Sequence, residues 1–157
     1  MSSSAALLDM PEELSCVVIP TGGMELLLPN ICVAEIVPWR RVKVLQNAPD
    51  WCLGLTGWRG QTIPVVHYDG FREGVPAPDS ARCLVVMNRS RSASGRAFYA
   101  LAARALPYMV QLAAEDMSNE NSDLGPADVM SVRLGESLAT IPDLQYVENL
   151  VTQLKPD

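Results

Sequence analysis

The sequence predicts a mainly β protein made of small barrels, with a helix near its C-terminal end. Short apolar segments rich in β-branched residues are separated by Gly, Pro or polar turn signals at intervals of about 8–12 residues. Little helix is predicted, in short helices that include a C-terminal one. A chain of 157 residues is long enough for one compact domain, or for two small barrels that share an interface.

The strands are predicted from apolar runs bounded by turn residues. Two hairpins are expected, one around Thr21-Gly-Gly23 and one around Gly135-Glu136, because glycines permit tight turns. The segments predicted to be strands are 14–19, 24–28, 51–56, 62–66, 82–88, 97–102, 129–134 and 137–141.

The helix is predicted to begin after Asp143, a residue type that commonly caps helix N-termini. Its apolar face is expected to pack against the barrels and consists of Leu144, Val147, Leu150, Val151 and Leu154. Polar composition predicts a connector at 70–80, a solvated basic loop at 89–96 and a mobile surface loop at 118–126, with a basic patch for a partner as the alternative at 89–96. Residues 1–12 are expected to be a flexible tail that precedes a domain at 13–154.

The most informative segment runs from Asn47 to Val66. Its glycines predict a tight connection, Gly57-Trp-Arg-Gly60, between two strands, which would place Trp58 and Arg59 at the rim of a sheet. An exposed arginine between two apolar strands favours a docking edge over a reaction centre.

These residues resemble the signature hairpin of the CheW family, the adaptor domains that join chemoreceptors to a histidine kinase. The residues that carry the resemblance are Pro49, Trp51, Gly54-Leu55, Trp58-Arg59-Gly60 and Ile63-Pro64-Val65-Val66, with weaker support from Glu25–Leu28 and Val33–Ile36. The resemblance implies two five-stranded SH3-like β-barrels on a common core, as intertwined subdomains of one domain. It also implies a structural role for Gly54, Gly57, Gly60 and Pro64 in forming the turn.

The chain departs from the family pattern at several positions. Gly57 replaces the usual Asn, Trp58 replaces Leu, and His67-Tyr68 replaces Asp-Leu, while Tyr99–Ala103 lacks the Gly and Asp of the family's second half. The match is closest over residues 14–71 and looser up to 154. These departures suggest a divergent adaptor, for example one of a chemosensory system linked to type IV pili and twitching motility.

The resemblance implies two partners: the regulatory domain of a CheA-type histidine kinase and the cytoplasmic tip of a methyl-accepting chemoreceptor. Val33, Glu35 and Val37 match the segment through which the family contacts one of these partners, with the valines as anchors. The alternative is that the valines are buried and the glutamate is solvated.

Two alternatives also stay open for Arg59. Its guanidinium, stacked on Trp58, would bind a partner, or it would lock the hairpin through an internal ion pair. Among the three tryptophans, Trp58 is the one expected on the surface. Alanine at Trp58 or Arg59 is therefore predicted to weaken partner binding and to leave stability nearly unchanged.

Composition excludes several other classes. With 48% hydrophobic and 19% charged residues the chain is globular, and a net charge of −6 argues against a nucleic-acid partner. No apolar run approaches the ~20 residues that span a bilayer, and the first ten residues lack the basic n-region and convincing apolar h-region typical of a secretion signal. A cytoplasmic protein without membrane insertion is expected.

No enzymatic machinery is evident. Cys16, Cys32, Cys52 and Cys83 lie in apolar segments without a Cys-x-x-Cys pair and are predicted to be buried free thiols. His67, the one histidine, is interpreted as a structural or surface residue rather than a general base or metal ligand, because no nucleophile or second ligand accompanies it. No cofactor is expected. The predicted function is a non-enzymatic chemosensory adaptor; the alternative is a scaffold or small-molecule sensor of the same fold that has lost one partner interface.

Overall fold

The structure is a computed structural model that describes residues 13–72, 75, 81–88, 98–120 and 123–154. Within these described residues the regular elements are eleven strands, three 3-10 helices and one α-helix. The strands are β1 Leu14–Pro20, β2 Glu25–Pro29, β3 Val33–Pro38, β4 Cys52–Trp58, β5 Gln61–Val66, β6 Cys83–Met87, β7 Tyr99–Ala103, β8 Tyr108–Leu112, β9 Met117–Asn119, β10 Asp128–Leu134 and β11 Ser137–Pro142. The helix α1 is Leu144–Thr152, and the 3-10 helices are Asn30–Cys32, Tyr68–Phe71 and Ala114–Asp116.

The first barrel is formed by a five-stranded sheet in the order β3-β6-β7-β5-β4. The chain beyond β3, residues 39–44, crosses to the opposite edge and closes this sheet. There the backbone N–H of Lys43 donates to the carbonyl of Leu55 at 2.7 Å, and the N–H of Leu55 donates back at 2.8 Å. This closure covers the edge of β4, which would otherwise carry unpaired backbone groups.

The second barrel is formed by a six-stranded sheet in the order β8-β1-β2-β11-β10-β9. β8 lies at one edge and β9 at the other, and the short 3-10 helix Ala114–Asp116 joins them. When β8 and β9 are counted as one bent strand, each sheet has five strands and is closed in the same way. The prediction of a mainly β fold with two SH3-like barrels and a C-terminal helix is confirmed.

A common core lies between the two barrels because the central strands bury both faces. Along β6, Cys83, Val85 and Met87 face this common core, whereas Leu84 and Val86 face the interior of the first barrel. A strand buried on both faces appears in the sequence as a continuous apolar run. The same alternation in β1 separates Val17 and Ile19 from Cys16 and Val18, which face the interior of the second barrel.

The helix begins as the sequence predicts. The side chain of Asp143 accepts a hydrogen bond from the backbone N–H of Tyr146 at 3.1 Å, which satisfies one of the free donors of the first turn. Val147 and Val151 are fully buried in the common core, and Leu144 packs at its border. The helix therefore covers the open side of the core between the barrels.

A buried polar network ties the two halves of the chain together. The Tyr68 hydroxyl donates to Asp128 Oδ1 at 2.7 Å, and Arg72 Nη2 donates to Asp128 Oδ2 at 2.8 Å. The Asp128 side chain is only 3% exposed, so the ion pair compensates a charge that burial would otherwise penalise. Burial raises the pKa of Tyr68 far above its usual value, and the hydrogen bond to Asp128 raises it further.

Several predictions concern segments that the structure describes only in part or not at all. The tail at 1–12 and the basic loop at 89–96 lie outside the described residues. Within 70–80, the described part begins with the end of a 3-10 helix. Within 118–126, Ser118 and Asn119 belong to β9.

Candidate docking site on the first barrel

The β4–β5 hairpin differs from the predicted turn. β4 continues through Trp58, and the connection to β5 consists of Arg59 and Gly60 alone. Both residues have positive φ, 47° and 74°, as a two-residue type I′ turn requires. The tip of the hairpin is therefore a tight turn that displays one large side chain, that of Arg59.

The expectation that Trp58 lies on the surface is wrong. Trp58 is 4% exposed and packs inside the first barrel, where its ring centroid lies 4.8 Å from that of Phe98. The reason is the period of two along β4, in which Cys52, Gly54, Thr56 and Trp58 are buried. This alternation in the sequence indicates that Trp58 faces inward, but Gly57 and Gly60 led to the prediction of a turn at this position instead.

Three side chains meet at the tip of the hairpin. Trp58 Nε1 donates to Glu35 Oε1 at 2.9 Å, and Arg59 Nη2 lies 3.3 Å from the same oxygen. The Arg59 guanidinium carbon is 4.8 Å from the centre of the Trp58 ring. Glu35 comes from β3, so the fold brings together residues of two separate motifs. We call Glu35, Trp58 and Arg59 the hairpin triad.

The triad leaves much of its polar surface available. The side chains of Arg59 and Glu35 are 66% and 39% exposed. An ion pair this exposed contributes only about 0–1 kcal/mol to stability. The contacts to Glu35 and Trp58 instead orient the guanidinium, whose remaining N–H groups are suited to bidentate binding of a carboxylate.

The two valines of β3 occupy different environments. Val37 is 4% exposed and faces the interior of the first barrel, which agrees with the buried alternative. Val33 is half-buried at the border of the common core. Sequence reasoning missed Ile36, which is 41% exposed. It lies on the opposite face of β3 from Glu35, because it pairs with Val85, whereas Glu35 pairs with Val86.

Of the four residues predicted to form the turn, only Gly60 lies in it. Gly54 has φ of +140°, and a Cβ at this position would lie 2.1 Å from the carbonyl oxygen of Lys43. Gly54 therefore permits the close backbone approach that closes the first barrel. Gly57 lies within β4, and Pro64 lies in β5 opposite Leu55.

A groove separates the loop at 45–51 from the C-terminal half of α1. It has a volume of about 510 Å³. Its apolar lining includes Leu45, Trp51, Leu150 and Leu154, and amide groups of Gln46 and Gln153 lie at its border. Apolar walls with a few polar groups are suited to an amphipathic helix.

The other polar residues considered as site candidates, His67 and Asp69, make contacts that hold the fold together. His67 is buried at 3% exposure, and its backbone N–H donates to the carbonyl of Trp51. Asp69 accepts hydrogen bonds from the Thr21 hydroxyl and the Gly23 backbone, so it fastens the β1–β2 turn to the first barrel. Within the described residues, no group of three or more His, Cys, Asp or Glu side chains is arranged to hold a metal ion.

The cysteines are located largely as predicted. Cys16, Cys52 and Cys83 are buried, and Cys32 is half-buried. Burial raises the pKa of each thiol above its usual value, and the nearby charge of Glu148 adds to the effect at Cys32. Thiols with raised pKa values are poor nucleophiles at neutral pH. No helix in the described part of the chain is long and apolar enough to cross a membrane.

The architecture is thus two closed barrels on a common core, with an exposed Arg59–Glu35 pair at the tip of one hairpin. The model of the CheW-like domain matches residues 15–150, and the chain belongs to this family. Proteins of this family are adaptors and scaffolds of chemotaxis rather than enzymes. The solved structure of the scaffolding protein TtCheW from Thermoanaerobacter tengcongensis is similar, with a TM-score of 0.69 and 14% identity over 87% of this chain and 88% of that one. No curated protein matches the sequence.

Proposed function

We propose that this protein is a cytoplasmic adaptor that couples a chemoreceptor to a CheA-type histidine kinase. The observation that carries the proposal is the hairpin triad. A surface arginine is held by a ring and a carboxylate on a tight two-residue turn. Pre-organisation of this kind lowers the entropy cost of docking, because the side chain is already restricted before the partner binds.

The proposal assigns different surfaces to the two partners. The triad, together with the half-buried Val33 of β3, forms the contact with the SH3-like regulatory domain of the kinase. The groove between the loop at 45–51 and α1 accepts the helical tip of the receptor. Trp58 and Val37 act through the barrel interior, because they support the strands that carry Glu35 and Arg59. Simultaneous docking would couple the two binding equilibria without chemistry.

The structure offers a well-matched control for the test. Arg133 and Glu120 form a second exposed ion pair on the other barrel, with a distance of 2.8 Å and side-chain exposures of 43% and 40%. Arg59→Ala and Arg133→Ala each break one exposed pair, so both are expected to change stability by less than about 1 kcal/mol. Only Arg59→Ala is expected to weaken kinase binding.

The experiment is a calorimetric titration of the purified protein with kinase regulatory domains and receptor tip fragments from its own organism. Saturable binding to a kinase domain that Arg59→Ala weakens and Arg133→Ala preserves would support the adaptor function. Equal effects of the two variants would remove the triad from the interface. Absence of binding to both partners would contradict the proposal and favour a scaffold or sensor of the same fold. We further propose that the signalling pathway controls pili-dependent twitching motility. Measurements of flagellar and of pili-dependent motility in a deletion strain test this.

A further inference from the structure

Charge is unevenly distributed between the two barrels. The described carboxylates lie mostly on the second barrel and on α1, although the whole chain carries a net charge of −6. The first barrel instead carries most of the described cations. These are Arg40, Arg41, Lys43, Arg59, Arg82 and Arg104.

We call five residues of the segment 39–44 the basic strip: Trp39, Arg40, Arg41, Lys43 and Val44. They belong to the segment that closes the first barrel. Trp39 and Val44, at the two ends, are 39% and 77% exposed, and the three cations between them are exposed as well. The strip therefore combines positive charge with apolar surface.

The direction of the side chains follows from the packing of Val42. Val42 packs against the interior cluster of the first barrel. Because side chains alternate along an extended segment, its neighbours Arg41 and Lys43 both project outward, about 6.6 Å apart along the chain. Arg40 is fixed differently, since its guanidinium donates to the Gly57 carbonyl at 2.8 Å beside the hairpin tip.

These cations lack internal charge compensation in the described part of the chain. The ion pairs there involve Arg59, Arg72 and Arg133, and none involves a cation of the basic strip. Three neighbouring like charges repel one another, and an anionic partner would relieve this repulsion.

We propose that the basic strip is a docking surface for an acidic segment of a partner protein, in addition to the surfaces assigned above. A short segment fits better than an extended polyanion. At physiological salt, charges farther than about 8 Å are screened, so a short acidic peptide responds to the local cations. A nucleic acid or an anionic membrane extends beyond the strip and meets the field of the acidic surface. The exposed Trp39 and Val44 also suit a polypeptide with apolar residues beside its acids.

The test measures fluorescence anisotropy of labelled peptides on the full-length protein. The probes are peptides of about 15 residues with four glutamates and two leucines, the acids spaced i, i+2 or i, i+4 to match either an extended or a helical segment. Each has a counterpart with glutamine in place of glutamate. We expect at least one glutamate peptide to bind, with affinity that falls as salt is raised, and its glutamine counterpart to bind more weakly.

Two variants of equal net charge locate the site. Arg41→Gln with Lys43→Gln removes two positive charges from the strip, whereas Gln145→Glu with Asn149→Glu adds two negative charges on exposed positions of α1. The strip variant should bind the peptide about fivefold to thirtyfold more weakly, as expected for two exposed ion pairs. The helix variant should bind nearly as well as the wild type.

The proposal would be overturned by equal loss of binding in the two variants, or by absence of binding to every glutamate peptide. Two further measurements exclude other occupants. Tighter strip-dependent binding of a single-stranded DNA oligonucleotide or of phosphatidylserine vesicles at physiological salt would contradict it in favour of a polyanion. Strip-dependent dimerisation in sedimentation experiments without peptide binding would contradict it in favour of a second copy of the chain. Because Arg59 is unchanged in both variants, failure here leaves the adaptor proposal untouched.

Discussion

Substitution of Trp58 by alanine tests the interior position of this side chain. Trp58 is 4% exposed in the first barrel and packs against Phe98. Replacement of a buried tryptophan by alanine costs about 3–5 kcal/mol, a range that includes the cavity left behind. The hydrogen bond from Nε1 to Glu35 is lost as well and adds about 1 kcal/mol to the lower end of this range. The expected cost of Trp58→Ala is therefore about 4 kcal/mol.

The assay is urea unfolding followed by far-UV circular dichroism, with thermal unfolding in parallel. A loss of about 4 kcal/mol corresponds to a melting temperature lower by about 8–16 °C for a chain of this size. Trp39→Ala is the control, because Trp39 is 39% exposed and its loss should cost clearly less than that of Trp58. Equal stability of the two variants would refute the inward orientation of Trp58 and restore the expectation of a surface residue.

Three other outcomes are expected. Gly54→Ala should lower the free energy of unfolding by more than about 3 kcal/mol, because its Cβ would clash with a backbone carbonyl. Gly57→Ala is the control and should be nearly neutral, because a Cβ there would have no non-neighbouring atom closer than 3.9 Å. Similar urea midpoints for the two variants would contradict the role of Gly54. Asp128→Ala should cost about 2–3 kcal/mol, because the buried carboxylate accepts hydrogen bonds from Tyr68, Arg72 and the Gly125 backbone, whereas Arg72 keeps its contacts with Asp123. A cost below about 1 kcal/mol in urea unfolding would show that these bonds are dispensable. Stability should fall as the pH rises above about 8.5, by up to about 1.4 kcal/mol per pH unit for each group concerned. The buried thiols and the phenols of Tyr68 and Tyr99 have raised pKa values, so they ionise in the unfolded chain first, and unchanged urea midpoints up to pH 11 would contradict this.

Much of the fold was predictable from local signals. The β1–β2 hairpin, the β10–β11 hairpin and the start of α1 at Asp143 all lie where the sequence placed them. Each depends on residues close in sequence: a turn between two apolar runs, or a cap before an amphipathic segment. Such signals are local because backbone conformation in turns and caps is decided within a few residues.

The candidate site was predictable only in part. The sequence singled out Glu35, Trp58 and Arg59, and the structure brings these three together. The sequence did not reveal that Trp58 faces inward. The two glycines, Gly57 and Gly60, suggested a wider turn. Burial of the Trp58 ring stabilises the fold by more than the local turn preference of glycine does, and this outweighs the backbone strain of the positive φ at Arg59.

By itself the sequence determined the positions of most strands, the capped helix and the residues of the hairpin motif, because these depend on short-range patterns of polarity and conformational preference. Only the tertiary structure decided which residues meet. Barrel closure pairs Lys43 with Leu55, and the common core places Tyr68 against Asp128. Contacts between distant segments depend on the packing of complete sheets, and no local pattern encodes them.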